Sequence, residues 1–182
     1  MFFDKLYILK GIFDGHDFSQ DLYDYMAEDR IRAELKIIKT DADFSNVLSK
    51  IAHTKEKIAL HLDMHGDNRG VQFGIRNQCY ETWDYVNSLF KLINSNTSMP
   101  IVTMNICHGA AIIWEQAKDG SYLDNLIASC IDVNASECCS RCHLFYSKLH
   151  QTGDIDQAMK EFNTPIRPAI SGLALYKSGC RS

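Results

Sequence analysis

Two short stretches of the chain each end an apolar run with a side chain that can take part in catalysis. The first, Leu60–Asp67, carries His65 followed by Gly66, and the second, Pro100–Gly109, carries Cys107. A cysteine attacks as its thiolate, and a nearby imidazole raises the thiolate fraction at neutral pH and then protonates a leaving amine. If the two runs are neighbouring strands, their ends place His65 beside Cys107. The sequence then predicts the dyad of a cysteine peptidase.

The alternative interpretation of the same residues is structural. A cysteine at the end of a buried strand commonly serves as a small apolar residue of the core, and a His-Gly pair often arises by chance. The pattern alone leaves both interpretations open.

Composition and charge exclude several classes of function. The 182 residues, 46% of them hydrophobic, suit one domain over residues 1–182 with a sizeable core. A net charge of -4 argues against a nucleic-acid partner, which needs a basic footprint. No stretch approaches the roughly 20 apolar residues that span a bilayer, and the amino terminus lacks the features of a signal peptide. We therefore expect a cytoplasmic protein with no membrane partner, whose seven cysteines are mostly free thiols.

The elements that must position the two residues alternate along the chain. Apolar runs predict strands at 6–9, 35–38, 57–62, 100–107, 126–133 and 169–176, with a small hairpin at 70–75. Helical periodicity predicts helices between them, the first two capped by Asp17 and Asp43, and Trp83 and Trp114 are expected in the core. This alternation predicts an α/β fold with a mainly parallel sheet and helices on both faces. The sites of such sheets form at the carboxyl ends of the strands, where His65 and Cys107 lie.

The order of these motifs resembles that of a known enzyme family. A His-x-x-x-His-Gly stretch from His61 to Gly66 precedes Gly70-Val-Gln-Phe and then the apolar strand that ends in Cys107. A helix pair from Ser136 to Phe162 follows, with Phe-Tyr at 145–146. The chain in this respect resembles the caspase-like (clan CD) cysteine peptidases, and among them the CHAT branch.

The resemblance implies a caspase–haemoglobinase fold, a three-layer sandwich with a mainly parallel six-stranded sheet. It implies that His65 is the general acid/base, that Cys107 is the nucleophile, and that the backbone N–H groups of Gly66 and Cys107 form the oxyanion hole. Such a thiol protease needs no metal and no organic cofactor. The stretch Asn105-Ile-Cys107-His108-Gly109 departs from the caspase Gln-Ala-Cys-x-Gly and from the Cys-x-Ser of many CHAT proteins. That departure leaves altered specificity or a catalytically degenerate scaffold as alternatives.

The resemblance also implies which residues bind the substrate. In relatives, the first specificity pocket is lined by the loop after strand 1 and by the residue two before the cysteine, which here are Asp14 or Asp17, and Asn105. An aspartate in that pocket favours a basic P1 residue, the residue whose carbonyl is attacked, through charge-assisted hydrogen bonds. The alternative is that Asp17 only caps a helix and Asp14 only forms a turn. We expect a protein substrate and control by a regulatory partner protein or an activating ligand, since no pro-domain and no long cleavable loop between strands 4 and 5 is visible.

A competing motif lies further along the chain. Cys139-x-x-Cys142-His143 has the sequence form of a c-type haem attachment site, and it contains ligands suited to zinc. Haem attachment of this type goes with export, and a zinc site needs a fourth ligand. The helical pattern instead explains Cys138 and Cys142 as buried apolar positions.

Overall fold

The structure, a computed structural model, describes residues 2–12, 17–74, 78–120, 123–132, 134–163 and 173–177. Its strands are β1 (Lys5–Lys10), β2 (Ala33–Ile37), β3 (Ile58–Asp63), β4 (His65–Gly66), β5 (Gly70–Phe73), β6 (Cys79–Thr82), β7 (Ile101–Asn105), β8 (Asn125–Ser129) and β9 (Leu173–Lys177). Its helices are α1 (Phe18–Glu28), α2 (Asp41–Ala52), α3 (Trp83–Asn96), α4 (Ile112–Asp119), α5 (Ala135–Thr152) and α6 (Ile155–Asn163).

The main sheet has the strand order β2-β1-β3-β7-β8-β9. The strands β2, β1, β3, β7 and β8 are parallel, and β9 pairs antiparallel with β8. A separate small antiparallel sheet, β4-β5-β6, follows β3, where the glycine-bracketed stretch predicted a hairpin. The predicted α/β class with a mainly parallel sheet is confirmed.

Helices cover both faces of the main sheet, because side chains of successive strand residues point to opposite faces. In β3, Leu60 and Leu62 pack into a core cluster with residues of α2, α3 and α4. Ala59, on the other face of β3, packs into a second cluster with residues of α1, α5 and α6. The sheet is thus flanked by helices on both faces, an arrangement compatible with a three-layer sandwich.

Two helix starts show how local chemistry sets the elements. The carboxylate of Asp17 accepts a hydrogen bond of 3.0 Å from the Gln20 N–H, so the predicted cap of α1 is confirmed. The predicted cap of α2 is wrong by three residues. Thr40 is the cap, and it exchanges hydrogen bonds with Asp43 in a capping box, so that Asp43 lies in the first turn.

The two tryptophans differ in their surroundings. Trp83 is 2% exposed and lies in the core as expected. Trp114 is 74% exposed, and its expected core position is wrong. The buried residues of α4, Ile112 and Gln116, lie four positions apart on one face of the helix. Trp114 lies halfway between them in sequence and therefore on the opposite side of the helix.

Candidate functional site

The pairing of β3 with β7 brings the two candidate catalytic residues to the same edge of the sheet. The strands are parallel neighbours, and their last paired residues are Asp63 and Asn105. His65 and Cys107 each lie two residues beyond that pair. Because neighbouring strands lie about 4.8 Å apart, the two segments leave the sheet side by side. His65 is exposed and Cys107 is half-buried.

Gly66 packs directly against the segment that carries the cysteine. A Cβ atom placed on Gly66 would lie 2.3 Å from Ile106 Cγ2 and 3.1 Å from the carbonyl oxygen of Cys107. Only glycine permits so close an approach of two backbones. The preceding residue, His65, pairs with Gln72 in the small sheet, which fixes the histidine segment from its other side.

A tight turn presents Cys107 at the end of β7. The Gly109 N–H donates to the Ile106 carbonyl at 3.0 Å, so Cys107 and His108 are the two central residues of the turn. His108 has a φ of 57° and a ψ of 21°, the left-handed conformation of the second central residue in a type II turn. Its N–H donates to the Ile131 carbonyl at 3.3 Å, and its Nε2 lies 3.5 Å from Asp132 Oδ1. His108 therefore ties the turn to the segment that follows β8.

A buried carboxylate lies beneath these residues, and the sequence interpretation missed it. Asp63, the last residue of β3, is 5% exposed. Its Oδ1 accepts a hydrogen bond of 2.9 Å from Asn105 Nδ2, and its Oδ2 accepts one from the Ser19 hydroxyl. Burial raises the pKa of Asp63 to about 6 despite both hydrogen bonds, which act in the opposite direction. One feature of the sequence could have indicated Asp63: it lies two residues before His65 in an otherwise apolar run.

The predicted substrate-binding residues have different surroundings. Asn105 is 4% exposed, and within the described part of the chain its Oδ1 has no hydrogen-bond partner. Asp17 caps α1 and forms an ion pair with Lys10. Asp14 lies outside the described residues. Asn105 therefore borders Asp63, whereas the Asp17 carboxylate has a structural role.

Helix α5 packs against the face of the sheet on which Asp63 lies. Cys138 is fully buried, and burial raises the pKa of its thiol to about 12, with smaller contributions from Asp63 and Cys107. The thiol of Cys138 is therefore protonated at neutral pH and lies within electrostatic range of both groups. The start of α5 thus belongs to the surroundings of the site.

The first histidine of the His-x-x-x-His pattern is a core residue. His61 is 2% exposed, and burial lowers its pKa to about 3, so its ring is neutral. Its Nδ1 lies 3.4 Å from the Tyr146 hydroxyl. His61 stabilises the contact between β3 and α5.

The competing cysteine motif does not assemble into a site. Cys138 and Cys142 are fully buried, as the helical pattern predicted. The ring of His143 instead stacks on Tyr25 at 4.4 Å between centroids, and its Nε2 lies 3.0 Å from Asp29 Oδ2. Among the described residues, no group of three or more His, Cys, Asp or Glu side chains could hold a metal ion.

Comparison of the chain with protein-family models and with curated proteins finds no match. In the described part of the chain, every helix is too short or too polar to cross a membrane. What the site can do is therefore inferred from its own geometry.

The contact of Gly66 with Ile106 leads to a first prediction. Gly66→Ala should lower the free energy of unfolding by about 1–3 kcal/mol, because the added methyl group overpacks a buried contact. In a double-mutant cycle, the Ile106→Ala change should relieve part of that loss. Urea unfolding of the single and double variants measures the coupling. Losses that add to within about 0.5 kcal/mol would show that the two residues do not touch.

The pKa of Asp63 leads to a second prediction. The folded-state pKa is about 6, above the usual value near 4, so the folded state holds the proton more tightly. The free energy of unfolding should therefore fall as pH rises from about 4 to about 6, and the cost persists above that range. Asp63→Asn should raise the free energy of unfolding at pH 7.5 by about 2 kcal/mol, and much less at pH 4.

Urea unfolding of both proteins at the two pH values tests this. Asp124→Asn is the matched control, because it removes the same charge from an exposed position and should change stability by less than about 0.5 kcal/mol at either pH. A loss of stability in Asp63→Asn at pH 7.5 would contradict the pKa argument.

Proposed function

We propose that the chain is a cysteine endopeptidase that hydrolyses a protein substrate through a His65/Cys107 dyad, after a basic P1 residue. The observation that supports it is the end of the β3–β7 pair, where both segments leave the sheet in register and Gly66 contacts Cys107. A histidine and a cysteine at neighbouring carboxyl ends of a parallel sheet lie where such folds build their sites.

The chemistry follows from these groups. In the proposed reaction His65 takes the thiol proton, and the Cys107 thiolate attacks the P1 carbonyl carbon. The N–H groups of Gly66 and Cys107 donate to the oxyanion that forms. His65 then protonates the leaving amine, and afterwards deprotonates the water that hydrolyses the thioester. These steps need no metal and no organic cofactor.

The surrounding charges favour a basic substrate. The carboxyl end of β3 carries Asp63, and α1 opens with Asp17 nearby. The cation at the end of β1, Lys10, pairs with Asp17. An acidic P1 side chain would meet like charges here, whereas an Arg or Lys side chain would meet opposite ones.

The fold is compatible with the family that the sequence resembles. Five parallel strands flanked by helices, with β9 antiparallel at one edge, allow the caspase–haemoglobinase sandwich that we propose. As in the sequence-based expectation, we propose that a partner protein or a ligand controls activity. The alternative is a scaffold protein without turnover, and the following measurement distinguishes it from an active peptidase.

The dyad leads to a third prediction. At pH 7, iodoacetamide should modify Cys107 at least about tenfold faster than the exposed Cys130, because the proposed imidazole neighbour can take the thiol proton and the thiolate is the form that reacts. His65→Ala should bring the two rates together. Peptide mapping by mass spectrometry measures both rates in one sample, with Cys130 as the internal control.

Turnover is checked on the same protein. Cys107→Ala should abolish hydrolysis of fluorogenic peptides with Arg or Lys at P1. Equal labelling of Cys107 and Cys130, together with no turnover, would favour the scaffold and overturn the peptidase. Turnover that survives Cys107→Ala would overturn the assignment of the nucleophile.

A further inference from the structure

Asp63 and Asn105 form a buried group whose hydrogen-bond acceptor sites outnumber the donors that the described residues offer them. A carboxylate has sites for about four hydrogen bonds, and Asp63 receives one from Asn105 Nδ2 and one from the Ser19 hydroxyl. Both donors are neutral. Asn105 Oδ1, buried beside this carboxylate, receives none from the described residues. The cluster therefore has the acceptor sites for a ligand that carries several N–H groups.

The cation nearest to the cluster, Lys10, is paired with Asp63 in the β1–β3 register but is bound to another carboxylate. Within the described residues no Lys or Arg forms an ion pair with Asp63, and the nearby Lys10 pairs with Asp17. A buried carboxylate without a cation is costly, and proteins keep such groups chiefly where function needs them. The described residues thus supply no cation that is ion-paired with Asp63.

The position of the cluster points to a substrate pocket. In the strand order, β1 has β2 on one side and β3 on the other, so the connections change direction between β1 and β3. Open α/β sheets bind ligands in the crevice at that point, outside the carboxyl ends of the strands. Asp63 is the last residue of β3 beside this point, and its carbonyl accepts the Gly11 N–H at 2.9 Å.

The cluster lies on the same side of the sheet as the nucleophile. Met104 and Ile106 pack into the cluster under α2, α3 and α4, so Asn105 and Cys107, which alternate with them, lie towards the other face, as Asp63 does. Asn105, which bonds to Asp63, precedes Cys107 by two residues on the same strand end. A side chain that reaches Asp63 would therefore belong to a residue bound at Cys107.

We propose that Asp63, together with Asn105 Oδ1, binds the guanidinium or ammonium group of the P1 residue. This inference rests on the proposed peptidase and names the residue that determines its specificity. It assigns that role to Asp63 and leaves Asp17 as the cap of α1. Ser19 and Asn105 hold the carboxylate in place, and Asn105 adds one acceptor of its own.

The chemistry selects among P1 residues. Arginine supplies five N–H donors and lysine three, each with the charge that the carboxylate lacks. An apolar P1 residue would leave the acceptors unsatisfied, and an acidic one would add a second negative charge. Both basic side chains place their charge at the end of a long apolar stem, which suits a carboxylate below the surface.

The first test measures covalent capture of Cys107. Peptidyl acyloxymethyl ketones that differ only in a P1 Arg, Leu or Asp are reacted with the wild type, Asp63→Asn and the charge control Asp124→Asn. The wild type and the control should react at least about tenfold faster with the Arg reagent than with the Leu reagent. In Asp63→Asn the rates with the Arg and Leu reagents should become equal, a loss of specificity that damage to the dyad, which would slow both reagents alike, does not produce.

The second test does not depend on turnover. Calorimetry measures the binding of n-butylguanidine, and of its neutral analogue n-butylurea, to Cys107→Ala with and without Asp63→Asn. The guanidine should bind at least about tenfold more tightly than the urea when Asp63 is present, and equally weakly when it is replaced. Because Asp63→Asn is expected to stabilise the fold, lost binding is distinguishable from unfolding, which circular dichroism monitors.

The outcomes separate this inference from the proposed function. Capture without preference for Arg, and no selective guanidine binding, would overturn the role of Asp63 while the peptidase stands. Guanidine binding that requires Asp63, without capture or turnover, would support the cation site and overturn the peptidase. Loss of the Arg preference in Asp17→Ser, which keeps a helix cap, but not in Asp63→Asn, would overturn the inference in favour of Asp17. Absence of both capture and guanidine binding would overturn both proposals.

Discussion

The parallel register of β3 and β7 is the constraint on which the rest of the site depends. Because side chains alternate along a strand, a slip of one residue would turn every side chain of a strand to the other face. The hydrogen bond between Asp63 and Asn105 joins residues that are directly paired in this register. In a slipped sheet the two side chains would lie on opposite faces, and the buried carboxylate and amide could not form their hydrogen bond. The polar pair therefore favours the register in which the segments that carry His65 and Cys107 leave the sheet side by side.

The two faces of the sheet have different roles. The face under α2, α3 and α4 is apolar along the whole of β3, with Ile58, Leu60, Leu62 in one cluster. The face under α1, α5 and α6 begins with Ala59 and continues with the buried polar residues His61 and Asp63. Both faces thus contribute hydrophobic stabilisation. The face under α1, α5 and α6 also holds buried polar groups, whose partners Ser19 and Tyr146 come from α1 and α5.

The sequence predicted the strands, the helices and the strand ends at which His65 and Cys107 lie, because apolar periodicity and glycines are local signals. It missed what depends on distant partners. The pKa of Asp63 reflects burial under α1, and its partner Ser19 is 44 residues away. The exposure of Trp114 depends on which face of α4 meets the core, and that face is formed by Ile112 and Gln116. The cap of α2 was misplaced because Thr40 and Asp43 both belong to one capping box.

Burial of Asp63 couples the stability of the fold to occupancy of the site. At neutral pH a carboxylate with a folded-state pKa of about 6 is charged and lowers the free energy of unfolding. A bound cation would favour the charged form, lower that pKa and release a proton when the group was protonated before binding. The same interaction would add the free energy of binding to that of folding. The carboxylate that lowers the free energy of unfolding is thus the group whose charge a bound basic substrate would neutralise.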